Sequence, residues 1–115
     1  MTPHSPSANE EVPKHSVDEI CRLLVDAHRR HVLYYLEIGS TKTATLDELV
    51  AYLCEAIGDF DTPQQVRTRL VHQHLPYLAD YNVIEYDQRS ETVRYREKHH
   101  IAVFLTLAAR YEDSI

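Results

Sequence analysis

Five side chains, Gln65, Thr68, Arg69, His72 and Gln73, follow one another at the spacing of a single helix face. They are the types that read base edges in a DNA major groove: Arg toward guanine, Gln toward adenine, Thr toward either or toward the thymine methyl. At 100° per residue, Val66, Leu70, Val71, Leu75 and Leu78 gather on the other side and point to a core. An ordinary solvated helix face usually mixes Glu with Lys, whereas residues 62–79 hold Arg67 and Arg69 and no acid. Arg67 and His74 fall toward the apolar side, so the angles place them on the helix flank, paired with an acid such as Asp80 or Glu48. Arg89 stands at the tip of a predicted hairpin, where it is placed to meet a phosphate or the minor groove. Arg94 and Arg96 alternate with Tyr95 and so face away from the core; for them a phosphate role and a plain solvated strand weigh equally.

The elements that position these residues are marked by caps and breakers. Thr62-Pro63-x-Gln65 opens the helix of interest with a cap, a proline at the first helical position and a reciprocal Gln. Pro76 predicts a bend near Leu75 and one more turn to Tyr81. Upstream, Ser16-x-x-Glu19 caps a first helix, Asp26 a second that Gly39 closes, and Thr45-x-x-Glu48 a third with its apolar stripe at Leu46, Leu49, Val50, Leu53 and Ile57. Downstream of Asn82, a residue suited to a left-handed cap, Val83 to Asp87 and Thr92 to Arg96 alternate around a polar turn and predict a hairpin in which Ile84 and Tyr86 face Val93 and Tyr95. A last helix covers Ile101 to Tyr111. The expected class is mainly α with a small β-hairpin, in the order of a winged helix-turn-helix. Residues 1–15, rich in proline and serine, read as a disordered tail, 16–98 as the winged helix-turn-helix domain, and 99–115 as a C-terminal helix for dimerisation.

Composition narrows the function classes. The chain has 115 residues, 43% of them hydrophobic and 26% charged, with 2 Gly, which suits one helix-rich domain. The net charge of −6 argues against a nucleic-acid partner until its distribution is considered. Residues 62–79 and 88–98 together carry +4, so the remainder carries −10. Arg outnumbers Lys, of which there are only Lys14, Lys42 and Lys98, a habit of proteins from salt-loving archaea. No apolar run approaches the ~18 residues of a membrane span, so a cytoplasmic location is expected. No nucleophile elbow, P-loop, G-x-G-x-x-G or HExxH occurs, and an enzyme is not expected. Nor is a metal or other cofactor: His99 and His100 with Glu112 form the one candidate set, and adjacent histidines point some 100° apart on a helix. Cys21 and Cys54 lie on or beside apolar stripes and are expected to be buried packing residues.

The stretches Leu24 to Leu36 (LVDAHRRHVLYYL), Thr45 to Leu49 (TLDEL) and Leu70 to Tyr86 (LVHQHLPYLADYNVIEY) resemble small haloarchaeal winged-helix proteins whose shared domain is of unknown function. That family is similar in turn to the arsenic-repressor-like (ArsR-type) transcriptional regulators. The H-x-H-L-P-x-L-A run at His72 to Ala79 is the most specific part of the resemblance, which covers residues 16–96. His28 stands where members commonly carry the first of three arginines before the V-L-x-x-L of the second helix, leaving Arg29 and Arg30. The resemblance implies a fold that binds DNA or descends from one that did.

On the last helix Ile101, Phe104, Leu105 and Ala108 can cover the core, which turns Val103, Leu107 and Tyr111 outward. Two-fold pairing through this stripe would set two recognition helices about 34 Å apart, one DNA turn; the alternative is a stripe covered by the first helix of the same chain. The expected function is that of a homodimeric transcriptional regulator bound to double-stranded DNA. The rival is a winged-helix protein–protein interaction module without DNA binding.

Overall fold

The computed structural model describes residues 15–58, 61–96 and 101–113. The tail expected at 1–15 lies outside them except for His15, whose Nε2 donates to the Tyr81 carbonyl at 2.6 Å. Helix α1 (Val17–Leu24) starts at the Ser16 capping box, with the Ser16 hydroxyl accepting from the Glu19 amide and Glu19 returning the bond. Helix α2 (Ala27–Ile38) is capped by Asp26. Gly39 ends it in an extended conformation, φ −64° and ψ 144°, so its use here is not the left-handed turn that a closing glycine usually supplies. That turn belongs to Gly58, φ 65°, after α3 (Leu46–Ile57).

Residues 63–80 run as α4 (Pro63–Arg69), a π-helical segment (Leu70–His74) and α5 (Leu75–Asp80). Just before Leu75, where the bend is expected, the helix has a widened turn, closed by the Leu75 amide on the Leu70 carbonyl. Pro76 has no N–H for the residue 72 carbonyl and its ring crowds that oxygen; the extra residue in the turn takes up the mismatch. Asn82 then adopts φ 61°, the left-handed position expected of it.

Strands β2 (Ile84–Asp87) and β3 (Thr92–Tyr95) form the hairpin with Ile84 opposite Tyr95 and Tyr86 opposite Val93, as the alternation requires. A third strand, β1 (Thr43–Thr45), was not legible in the sequence; it pairs antiparallel with β3 and gives the sheet the order β1-β3-β2. Its three residues are too few to display a period, and only Ala44 points inward.

The core is one cluster. Leu23 of α1, Leu33 and Leu36 of α2, Leu46, Leu49 and Leu53 of α3, Leu70, Leu75 and Leu78 of residues 63–80, and Val93 of the sheet are all sealed from solvent. Ile101 and Leu105 of α6 (Ile101–Asp113) complete it against α1 and α2, each worth about 1.5–3 kcal/mol when fully buried. The result is mainly helical with a small three-stranded antiparallel sheet, a winged-helix-like arrangement. Val103, Leu107 and Tyr111 stay 60%, 63% and 71% exposed, so α1 does not cover the stripe.

Candidate nucleic-acid interface

The five predicted reading residues are all exposed along the first three turns after Pro63, but local chemistry has engaged three of them. Gln65 Oε1 accepts from the Thr62 amide at 2.8 Å while the Thr62 hydroxyl accepts from the Gln65 amide at 3.1 Å. The cap therefore uses the Gln65 carbonyl and leaves only its amide N–H groups. The Thr68 hydroxyl donates to the Gln64 carbonyl at 2.9 Å. Arg69 pairs with Asp61 through a short Nη1 contact and a second at 3.4 Å from Nη2. Asp61 sits one residue before the acid-free stretch, and a count along the chain cannot see that the helix start folds it back onto Arg69. The side chains of His72 and Gln73 have no hydrogen bond or ion pair among the described residues.

Arg67 is on the flank, as its angle requires, yet its acids are Asp47 and Glu91 and not Asp80 or Glu48. Nη1 donates to Asp47 Oδ1 at 2.6 Å and Nη2 reaches both Glu91 oxygens at 3.0 Å. These bonds, Asp47 first, hold the guanidinium proton more tightly than usual and tie α4 to α3 and to the hairpin turn. Glu91 takes φ 55° there. On the outer face of the sheet, Glu85 holds Arg94 at 3.4 Å and Arg96 at 3.0 Å. Arg89 is exposed at the tip, where its amide donates to Asp87 Oδ1 at 3.0 Å; its guanidinium has no carboxylate partner among the described residues.

His74 departs most from expectation. Expected on the flank, it is 2% exposed within the π-helical turn, on the apolar side where a uniform 100° projection puts it, and its partners are not Asp80 or Glu48. Its Nδ1 lies 3.4 Å from Arg29 Nη1, and because guanidinium only donates, Nδ1 accepts. Its ring stacks on His28 with centroids 5.5 Å apart, and Nε2 lies 3.9 Å from Asp26 Oδ1. Burial pushes its pKa down to about 4, with Asp26 opposing and Arg29 adding to the effect. For Asp26, burial acts upward and is outweighed by His74, the His28 amide and Arg29, leaving the carboxyl below its usual range.

Asp26, His28 and His74 bring three ligand-type atoms within 4.8 Å of one another, a set that the spacing along the chain did not suggest. The Arg29 donor at Nδ1 puts the proton of a neutral His74 on Nε2, the atom a metal would need, and adds a positive charge beside it. The geometry suits a hydrogen-bonded anchor better than a cation site. The earlier candidate is divided: His99 and His100 lie outside the described residues, and Glu112 is held by Arg30.

Two arginines that sequence reasoning left without a role are structural. Arg29, 9% exposed, donates from Nε to the Leu23 carbonyl at 3.0 Å and from Nη2 to the Arg22 carbonyl at 2.7 Å, and lies 4.4 Å above the Tyr77 ring. Arg30 donates to the Leu24 carbonyl at 2.6 Å and grips both Glu112 oxygens at 3.1 and 3.2 Å. Together they satisfy the open carbonyl end of α1, and Arg30 fastens α6 to α2. The signal available in the sequence was an Arg pair at the start of the helix that Asp26 caps. Cys54 is half-buried against the core as expected, but Cys21 is exposed, because the α1 stripe is only as wide as Ile20 and Leu23.

Three helices, a fourth run interrupted by a π-helical segment, a hairpin paired to a short third strand and a closing helix define a winged-helix-like protein. Residues 21–94 match the family described as a domain of unknown function (DUF7344), and since that is well over half of the chain, the protein belongs to this family. No curated protein and no solved structure matches it. Among the described residues no helix is long and apolar enough to cross a membrane.

Proposed function

We propose that this DUF7344 member is a DNA-binding winged-helix protein, a transcriptional regulator akin to the arsenic-repressor-like group and of haloarchaeal origin, that docks residues 63–74 in the major groove. The observation that carries the reading is the outer face of this segment: Gln65, Thr68, Arg69, His72 and Gln73 are exposed, and no acid occurs from Thr62 to Ala79. Arg89 adds an uncommitted cation at the hairpin tip, and Arg94 and Arg96 follow beside it with Glu85 as their present partner. Phosphate oxygens compete for such exposed arginines because surface ion pairs are worth about 0–1 kcal/mol. Exposed Val103, Leu107 and Tyr111 support a homodimer paired through α6. The protein acts without catalysis, in the cytoplasm, on double-stranded DNA.

Potassium chloride titration of duplex binding, read by fluorescence anisotropy, tests this. Affinity is expected to fall linearly on logarithmic axes, and Arg89→Ala to lower the slope by about 1. One observation favours a protein partner instead: Arg67, Arg69, Arg94 and Arg96 each hold a carboxylate of their own chain, on a protein of charge −6. Folded protein that binds no duplex at any salt would decide for that reading.

A further inference from the structure

Helices α2, α3 and α6 line a half-open cavity of about 360 Å³ on the side of α2 that faces α6. Small-molecule sites begin near about 300 Å³. Three aromatic rings stand in its wall: His31 meets Tyr34 edge-on at 5.0 Å and Tyr52 at 6.1 Å. Leu105 and Ala109 supply aliphatic surface, and Glu37 and Glu112 two carboxylates.

The two acids differ. Glu112 is saturated by Arg30 on both oxygens and by the Tyr34 hydroxyl. Among the described residues, Glu37 Oε1 is buried with no hydrogen-bond partner, and so is His31 Nδ1. The other nitrogen of His31, Nε2, faces Glu112 Oε1 at 4.0 Å, which favours the ring proton on that side and makes Nδ1 an acceptor. Burial, partly opposed by Glu112 and reinforced by Arg30 and His28, lowers the His31 pKa and keeps the ring neutral. The wall therefore presents two acceptors that lack a donor, one of them anionic, among aromatic and aliphatic surfaces.

A buried acceptor of that kind is costly to leave unmade. An anion is repelled by Glu37, and a neutral apolar molecule leaves it unpaired. What the wall lacks is N–H donors carrying positive charge on an apolar body, with ring faces beside the charge. Exposed Arg110 at the rim limits the ligand to a single charged head. We propose that this cavity binds a small organic cation, an ammonium or guanidinium head on a short aliphatic or aromatic body, with the head at Glu37. The proposal is independent of DNA binding, and either can fail alone.

Isothermal titration of the full chain at fixed ionic strength tests it, with isobutylammonium, phenethylammonium and butylguanidinium chlorides as probes and isobutanol and isobutyrate as controls. Saturable 1:1 binding of at least one amine is expected, with isobutanol at least about tenfold weaker and isobutyrate silent. Glu37→Gln should weaken the amine at least about tenfold while the melting temperature stays in place. Ala109→Leu, which fills the cavity from a partly buried position, should abolish binding and decides the matter if Glu37→Gln does not fold. No saturable amine binding up to about 10 mM, equal binding of isobutanol, or unchanged binding in the folded variants would overturn the proposal.

Discussion

Arg29 on α2 and Arg69 on α4 are the same residue type, and they live in opposite circumstances. Arg29 is sealed beneath Tyr77, with its donors spent on two carbonyls of α1 and on His74. Arg69 is exposed and holds Asp61, a partner that water or a phosphate can replace. The α1–α2–His74 region uses charge to fix the fold, whereas the outer face of residues 63–74 keeps charge where a ligand can take it. What separates them is the partner: backbone carbonyls at a helix end cannot leave, and a surface carboxylate can.

The largest break in that comparison should come from Arg29→Ala. It strips two carbonyls and His74 Nδ1 of their donor in a buried place, so a loss of about 3–4 kcal/mol is expected in urea unfolding. An effect no larger than that of a surface substitution would remove the anchoring role. Next comes acid. The unfolded His74 takes up a proton below about 6.5 but the folded one only below about 4. Between those values the unfolded state binds more protons, so stability falls as the pH falls, by up to roughly 3 kcal/mol. Below that window Asp26 and Glu112, both held under their usual carboxylate range, add further loss. Chemical denaturation from pH 7 to pH 4 reads this directly, and His74→Gln should flatten the slope.

Tyr34→Phe removes one hydroxyl from Glu112 and is expected to cost about 1 kcal/mol in the melting curve. Burial and the Glu112 bond push the Tyr34 pKa up to about 12, so its ultraviolet titration should come late and shift down in Glu112→Gln. The smallest effect on stability belongs to the other region. Asp61→Asn releases Arg69 and should leave the melting temperature nearly unmoved while raising duplex affinity several-fold. A fall in affinity would show that Asp61 positions Arg69 for its contact and does not compete for it.

Much of this architecture could be read along the chain because caps and alternation are local. Ser16, Asp26, Thr45 and Thr62 each begin a helix where the residue types say so, and the hairpin register follows from Ile84, Tyr86, Val93 and Tyr95. What escaped is non-local or breaks the period. Strand β1 exists because β3 offers it an edge. The π-helical turn before Pro76 breaks the period, and His74 meets Asp26, His28 and Arg29 from far back along the chain. Of the candidate interface, the exposure of its residues was legible and their partners were not. Asp61, Asp47, Glu91 and Glu85 reach Arg69, Arg67, Arg94 and Arg96 through turns whose geometry no charge count contains.

The homodimer reading is checked by light scattering at tens of micromolar protein, where Leu107→Glu should turn a dimeric mass into a monomeric one. A monomeric mass in the native chain would detach α6 from any role in spacing two recognition helices.

The central claim is that the outer face of residues 63–74 reads DNA sequence, and selection of genomic fragments by the purified protein in high potassium chloride, with Arg69→Ala alongside, meets it most directly. The account predicts an enriched palindrome with half-sites about 34 Å apart, lost in the variant at a cost of about 1–3 kcal/mol in affinity. Folded native protein that enriches no sequence at any salt, or a variant that enriches the same motif as strongly, would contradict it.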